Sequence, residues 1–532
     1  MNEQTDNQPA PVPVAVIDIG SNSIRMAVAQ VFADGQLEVL ERVYRAVRLG
    51  QDTFVAGRLA GQTMAAVIAI LRDYRSVIDT YGVQHLRAVA TSATREASNS
   101  EGFVDRIYMA TGFELEVIDP AEEARLMVSA VRGELDLLED ITEGMTLVAE
   151  VGGGNALLSV LEDGEIIASE SYRLGSIRLQ EVLNTPDETP QRAAELIRHQ
   201  IAGIVAGIRK SLPMSKVRNF VALGGDARFA AIHAGRKLEQ GTLYKLPVRK
   251  FGDLIEHCAP MPPEQLSRRY NMAFADAETL NPALLVYQAL VKATGAEEMI
   301  VTQRSMRDGL LREMALAVTG QEDEALARNI IHSAEAIGDK YRYDQEHANC
   351  VADLAVQLFD DLRGEHGLGS RHRLLLRVSA LLHEVGNFVS GRAHHKHSYY
   401  LVSNAEVFGL RGEEIQIVAL VTRYHRRSVP KPSHVEYISL TREKRVVVSK
   451  LAAILRVADA LDRGHAQHIR DFTVEKDADE MRIFVHGATD LTLERRAMAR
   501  KADLFEDLFG MQIRLIEAPL AKSDRRTESA LD

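Results

Sequence analysis

An apolar run that ends on an acid and then turns through glycine constrains this chain more than any other feature, because it occurs twice. The first copy spans Val14 to Val28, VAVIDIGSNSIRMAV. Val14 to Ile17 have the texture of a buried strand that delivers Asp18 to its end. Ile19-Gly20-Ser21-Asn22-Ser23 then turns the chain, and the alternating segment from Ile24 to Ala29 returns as a second strand. Gly20 can take backbone angles closed to other residues and lets a ligand approach the main chain, while Ser21, Asn22 and Ser23 put short polar side chains beside it. One such tip is an ordinary hairpin turn, and it also has the shape of a cradle for an oxyanion. The second copy, Leu147 to Val160, LVAEVGGGNALLSV, again ends an apolar strand on an acid, Glu150, and turns through Gly152-Gly153-Gly154-Asn155 into an apolar return strand. Two strand-acid-glycine-strand units predict two related lobes. A third turn, Gly224-Gly225 in FVALGGDARFAA, follows a β-rich run and precedes a helical pattern, where backbone amides and the helix dipole favour an anion.

Length and charge narrow the function. At 532 residues the chain exceeds one typical domain and predicts three or four, each with its own core. A hydrophobic content of 46% with 26% charged residues is that of an ordinary soluble globular protein. The net charge of −12 argues against a protein that coats nucleic acid, so no sequence-specific nucleic-acid partner is expected, while a local basic surface for a polyanion stays open. Cys258 and Cys350 lack metal-type spacing, and their scarcity fits a reducing compartment. No run approaches the ~18 apolar residues that cross a bilayer. The start, MNEQTDNQPAPVPV, lacks the basic and apolar regions of a signal peptide. A cytoplasmic location without a membrane partner is expected. No P-loop lysine motif is present, which argues against a nucleotide-driven motor.

The segments DIGSNSIR, ATSATREASN, EEAR and the triple glycine, in that order, resemble the exopolyphosphatase and guanosine pentaphosphate phosphohydrolase family, which lies within the actin, sugar kinase and heat-shock chaperone superfamily. The resemblance extends over nearly the whole chain. It implies an α/β two-lobed actin-like (ribonuclease H-like) core that clamps a phosphate chain between its hairpins, followed by an all-α HD-like domain and a small α+β cap. It also implies magnesium-dependent hydrolysis that releases terminal orthophosphate from inorganic polyphosphate, in a protein that pairs as a homodimer. On this resemblance Asp18, Gly20, Ser21, Asn22, Ser23, Arg25, Arg95, Gly152, Gly153, Gly154, Asn155, Gly224 and Gly225 would hold phosphate, and Asp18 and Glu150 would position Mg2+. A guanidinium such as that of Arg95 suits the task because its planar fork meets two phosphate oxygens at once. Glu123, the second acid of EEAR, would be the general base for the attacking water. Carboxylates such as Glu122-Glu123 at a helix start are also favoured by the helix dipole alone.

This chain departs from the family pattern at three places. Pro120 stands where the family usually has glycine, three residues before Glu123. Glu150 replaces an aspartate at the second strand end. GGGSTE becomes Gly152-Gly153-Gly154-Asn155-Ala156-Leu157, so Leu157 replaces the family's second functional glutamate, and leucine neither ligates nor accepts a proton.

The chain then divides into a disordered leader at 1–13, lobe I at 14–139, lobe II at 140–318, a helical HD-like domain at 326–470, an α+β cap at 471–520 and a disordered tail at 523–532. Ala60 to Tyr81 reads as a helix with Met64, Val67, Ile68, Leu71 and Tyr74 on one face. SMRDGLL at 305–311 resembles the segment that closes the two-lobed unit. Beyond 326 the order His347, His383-Glu384, Asp459 is that in which HD phosphohydrolases assemble a divalent metal site, and core or cleft histidines are the other reading. Arg423, Arg426, Arg427 and Lys431 begin a basic run that either lines a polyanion channel or forms a solvated face. LTLERRAMARKADLFEDLFG reads as one helix between a hairpin and a strand. Three further functions remain open: hydrolysis of guanosine pentaphosphate, a non-catalytic polyphosphate or nucleotide sensor, and an HD-domain phosphohydrolase with a regulatory actin-like half.

Overall fold

The computed structural model describes residues 10–135, 144–185, 188–239, 241–321, 324–405, 407–426, 428–470, 472–477, 479–487 and 490–518. Residues 1–9 of the expected leader, the expected tail at 523–532 and Arg427 lie outside the described residues. The chain forms two compact units, 1–326 and 327–532. Among the described residues, no helix is long and apolar enough to cross a membrane.

In the first unit the two hairpins seed two sheets of the same design. The first sheet holds β1 (Val12–Ile19), β2 (Ser23–Val31), β3 (Leu37–Ala46), β4 (His85–Ala90) and β5 (Leu115–Val117), in the order β3-β2-β1-β4-β5. β1 starts at Val12, two residues inside the expected leader, because Val12 and Pro13 pair with Val31 and Gln30 at an end of the strand where proline is tolerated. The second sheet holds β6 (Met145–Val151), β7 (Ala156–Glu162), β8 (Glu165–Tyr172), β9 (Asn219–Leu223), β10 (Arg236–Lys237), β11 (Tyr244–Pro247) and β12 (Glu298–Val301), in the order β10-β11-β12-β9-β6-β7-β8. Within it, β8-β7-β6-β9-β12 repeats the order and the strand directions of the first sheet: two antiparallel pairs, then two parallel ones. The antiparallel pairs close through tight turns, and the parallel step from β1 to β4 needs a crossover, which contains helix Gly61–Thr80. That helix buries Val67, Ile68, Leu71, Tyr74 and Ile78, the stripe its sequence carries, with Met64 at the edge of the same core.

One boundary differs from the sequence reading. Helix Met306–Thr319, assigned above to lobe II, packs on the first sheet: Met306, Leu310, Leu311 and Met314 share a core with Val14, Val16, Ala27 and Ala29. Gly309 permits this, since a Cβ there would lie 2.2 Å from the carbonyl oxygen of Leu126 on helix Pro120–Leu135. Amphipathic spacing gives the helix but not the sheet that receives it.

The second unit is helical, built chiefly from Gln345–Asp361, Ser370–Leu382, His394–Ser403, Gly412–Tyr424 and Arg442–Leu461. A three-stranded sheet, β13 (Phe472–Lys476), β14 (Glu480–His486) and β15 (Gln512–Ala518), follows. The single helix expected at 491–510 is two, Thr492–Lys501 and Asp503–Phe509, both packed on Arg442–Leu461. The break falls at Ala502, just before Asp503, whose carboxylate accepts the N–H of Leu504 and the guanidinium of the fully buried Arg456.

Candidate active site

The two hairpins end facing one cleft of about 470 Å³. In each, the acid stands near the end of the first strand and the first turn glycine closes the tip on itself. Gly20 N–H donates to Ser23 O and Gly152 N–H donates to Asn155 O, each at 2.9 Å. Those two amides are therefore used inside the turns, a correction to the expectation that Gly20 and Gly152 would offer theirs to phosphate. Across the strand pairs Asp18 faces Arg25, and Glu150 faces Leu157. Leu157 is thus the second-sheet counterpart of Arg25.

Of the residues expected to hold phosphate or metal, Asp18, Gly20, Ser21, Asn22, Ser23, Arg25, Glu150, Gly152, Gly153, Gly154, Asn155, Gly224 and Gly225 line this cleft, as does Glu123, the expected base. Arg95 does not. Its guanidinium donates to Glu123 Oε1 and to Ile118 O, both at 2.5 Å, and so anchors the acid rather than facing the cleft. The neighbouring acids of EEAR separate: Glu122 turns into a buried network with Arg87 and Arg125, and Glu123 turns to the cleft. Pro120 opens helix Pro120–Leu135, a position whose N–H would have no helical partner.

The glycines of the second turn serve close approach between the lobes. A Cβ on Gly154 would lie 2.3 Å from Ser92 Oγ and 2.7 Å from Phe54, and one on Gly153 would lie 3.0 Å from Ser21 Cβ. Arg178, at the start of helix Ser176–Val182, fixes that contact: Nε donates to Gly154 O at 2.7 Å, Nη2 donates to Glu96 Oε1 at 2.5 Å, and the guanidinium lies 4.0 Å over the Phe54 ring. Gly224 adopts φ +102°, open to glycine and strained for other residues. Beneath it the buried Tyr287 hydroxyl accepts the Val151 N–H at 2.8 Å and donates to Leu223 O, tying both glycine-bearing strand ends together. Tyr287→Phe is expected to destabilise the protein by about 1–3 kcal/mol, the cost of leaving two buried backbone groups unpaired, read as a lower urea midpoint.

The charges in the cleft are unbalanced within each sign. Burial pushes the Glu123 carboxyl up to about 7, with the Glu150 and Asp18 charges adding to the shift and Arg95 opposing it. Burial and the Asp18 charge raise Glu150 as well. Glu123 and Glu150, both held back from ionisation, and Asp18 beside them are an oxygen donor set suited to a hard divalent cation. Facing them, burial and then the Arg25 charge lower Arg228, and burial lowers Arg307, which pairs with Asp18 at 3.2 Å but also feels Arg25. Clustered guanidinium groups of this kind favour a polyanion. Sequence reading missed Arg228 and Arg307, although Arg228 stands four residues after Gly224 and Arg307 lies within SMRDG. It also missed Asp226, which burial and then the Asp276 charge raise to about 7.

In the second unit His347, His383 and Asp459 come together, with Glu384 beside them. The basic run is partly neutralised: Arg423 pairs with Glu436 at 3.2 Å, whereas Lys431 is exposed and Arg426 is half-buried.

A duplicated α/β core whose paired acid-glycine hairpins confront carboxylates with arginines is the architecture of a two-lobed phosphohydrolase. Residues 10–318 match the Ppx/GppA phosphatase family and residues 331–506 match domain III of the Ppx/GppA phosphatases, so the chain belongs to that family. It is 24% identical over 510 residues to the guanosine-5'-triphosphate,3'-diphosphate pyrophosphatase of Aeromonas hydrophila, covering 95% of this chain and 99% of that one. It is 28% identical over 320 residues to exopolyphosphatase 2 of Mycobacterium tuberculosis, covering 57% of this chain and 98% of that one. The crystal structure of an exopolyphosphatase from Cytophaga hutchinsonii shares the fold over 58% of this chain and 100% of that one, with 21% identity and a TM-score of 0.52. Members of the family hydrolyse phosphoanhydrides and generally depend on a divalent metal.

Proposed function

We propose that this chain removes the terminal phosphate of inorganic polyphosphate as orthophosphate, with magnesium as its metal. The observation that carries this reading is the meeting of Asp18, Glu123 and Glu150 with Arg25, Arg228 and Arg307 in one cleft. Asp18 and Glu150 would hold the metal, and bound magnesium would neutralise charge on the phosphate oxygens. The three arginines and the Ser21-Asn22-Ser23 tip would orient the chain end. Glu123 takes a proton from a water aligned with the terminal phosphorus. The oxygen attacks, the bridging P–O bond breaks, and the shortened chain leaves with the electron pair. The chain end is thereby hydrolysed without a covalent intermediate on the protein.

Arg95 lowers the Glu123 pKa by its charge and by a direct hydrogen bond. In Arg95→Ala the acidic limb of the pH–rate profile is expected to move upward from about 7, and the rate at pH 7 to fall several-fold. A profile unchanged from wild type would remove Glu123 from the role of base.

A second substrate reading, guanosine pentaphosphate, is favoured by a neighbouring cavity of about 460 Å³ that shares Asn22 and Thr279 with the cleft and is lined by Ile177, Phe274, Pro282 and Leu285. Apolar walls next to a phosphate site suit a nucleobase. Competition decides between the two: guanosine pentaphosphate that inhibits polyphosphate hydrolysis far below the concentration of an equally charged short polyphosphate supports the nucleotide reading. We also read the helical unit as HD-like and the protein as a cytoplasmic homodimer, on the family resemblance of its sequence.

A further inference from the structure

The helical unit carries an imidazole cluster that the phosphate chemistry does not use. His347 comes from helix Gln345–Asp361, His383 ends helix Ser370–Leu382, and Asp459 lies on helix Arg442–Leu461. One ligand atom from each lies within 4.8 Å of the other two, and all three residues are buried.

Each imidazole is held from behind. His383 Nδ1 lies 2.6 Å from Ala380 O, an acceptor only, so Nδ1 carries the proton and Nε2 presents a lone pair. His347 Nδ1 bonds Asp462 Oδ2 at 2.8 Å. Neither His347 Nε2 nor His383 Nε2 has a hydrogen-bond partner, although both rings are fully buried. Leaving two such atoms unpaired costs about 1–3 kcal/mol each, which calls for a ligand in the space they share. Asp459 Oδ1 stands 3.9 Å from His347 Nε2, while its other oxygen is clamped by Lys501. Imidazoles anchored through Nδ1 and a carboxylate fixed by a second partner are how proteins orient metal ligands.

We propose that His347, His383 and Asp459 bind one divalent first-row transition cation, such as Zn2+ or Mn2+, at a site separate from the magnesium of the phosphate cleft. Two imidazole nitrogens with one carboxylate favour such ions over Mg2+, whose donors are oxygens. The Lys501 ammonium holds Oδ2 and leaves Oδ1 for the ion. Glu384 and His465, more exposed than these three, also bring ligand atoms within 4.8 Å of a ring nitrogen of His347. The proposal holds whichever substrate the cleft takes.

The test uses the full chain without an affinity tag, stripped by chelation, loaded with Zn2+ or Mn2+, desalted and analysed for metal. The expected result is about one retained equivalent in wild type and in Asp18→Asn, and loss of that equivalent in both His347→Gln and His383→Gln. Because those variants can fail to fold, wild type is also loaded with Co2+: the expected result is a visible ligand-field spectrum and two paramagnetically shifted, exchangeable imidazole N–H resonances. Three outcomes overturn the site: no ion retained by wild type, an equivalent that survives both histidine substitutions, or one lost with Asp18→Asn.

Discussion

Glu123→Gln is expected to lower orthophosphate release from polyphosphate by at least a hundredfold while binding of the polymer is preserved. A positioned general base contributes roughly 10²–10⁴ in rate, and the amide keeps the shape of the side chain but cannot take the proton. The same residue sets the pH dependence. With its pKa held at about 7, Glu123 is mostly protonated in acid, so the wild-type rate should rise about tenfold per pH unit up to that point and then level. The residual rate of Glu123→Gln should lack that limb. Stability runs the opposite way in the metal-free protein. The folded pKa lies above the unfolded value of 4.5, so the folded state holds the extra proton between 4.5 and about 7. The associated stability is present below 4.5 and is lost as pH rises through about 7. Thermal melts of wild type across that window should fall more steeply with pH than those of Glu123→Gln.

Gly175→Ala, behind the second turn of the cleft, is expected to be a severely damaging single-methyl change. The added Cβ would lie 2.1 Å from the carbonyl carbon of Gly154, 2.4 Å from Gly153 O and 2.5 Å from the Asn155 nitrogen. These are backbone atoms of the second phosphate turn, and no side-chain rotation relieves them. The turn must move by about an ångström, a displacement that can cost about 10² in rate when it separates catalytic groups. Stability should fall by about 1–3 kcal/mol as well, as for an overpacked core. Gly203→Ala is the control: it lies inside helix Pro190–Ser211 with nothing within 4 Å, so it should leave the rate unchanged and gain about 0.5–1 kcal/mol. If Gly175→Ala kept wild-type kcat/KM and melting temperature, the second turn would not be positioned by the packing described here.

Much of the core was legible because its signals are local. Val14 to Ile17, the acid after them and the glycine after that specify a strand, its end and a tight turn without reference to anything distant. The repeat at Leu147 to Val160 then implies the second sheet. What stayed hidden depends on partners far along the chain. Nothing local tells that Arg307, from the end of the unit, reaches Asp18 at its beginning, or that helix Met306–Thr319 leaves the lobe that precedes it. The family resemblance puts Arg95 on phosphate, but the nearer carboxylate of Glu123 holds it. The triple glycine suggests a cradle for phosphate, whereas Gly153 and Gly154 are small because Ser21, Ser92 and Phe54 of the other lobe, and Ile177 of their own, press against them. The likeness to the residue order of HD phosphohydrolases groups His347, His383 and Asp459, and the structure brings these three together.

The most direct test of the central claim is orthophosphate release by the wild-type full chain from long-chain polyphosphate with magnesium, run beside a binding assay on the same preparation. Time-dependent orthophosphate with turnover well above one per chain, abolished by chelation, is the result that a cleft of paired carboxylates and arginines predicts. Tight binding of the polymer with no orthophosphate released would contradict it, and would make the replacement of the second glutamate by Leu157 the mark of a site that holds a phosphate chain without cutting it.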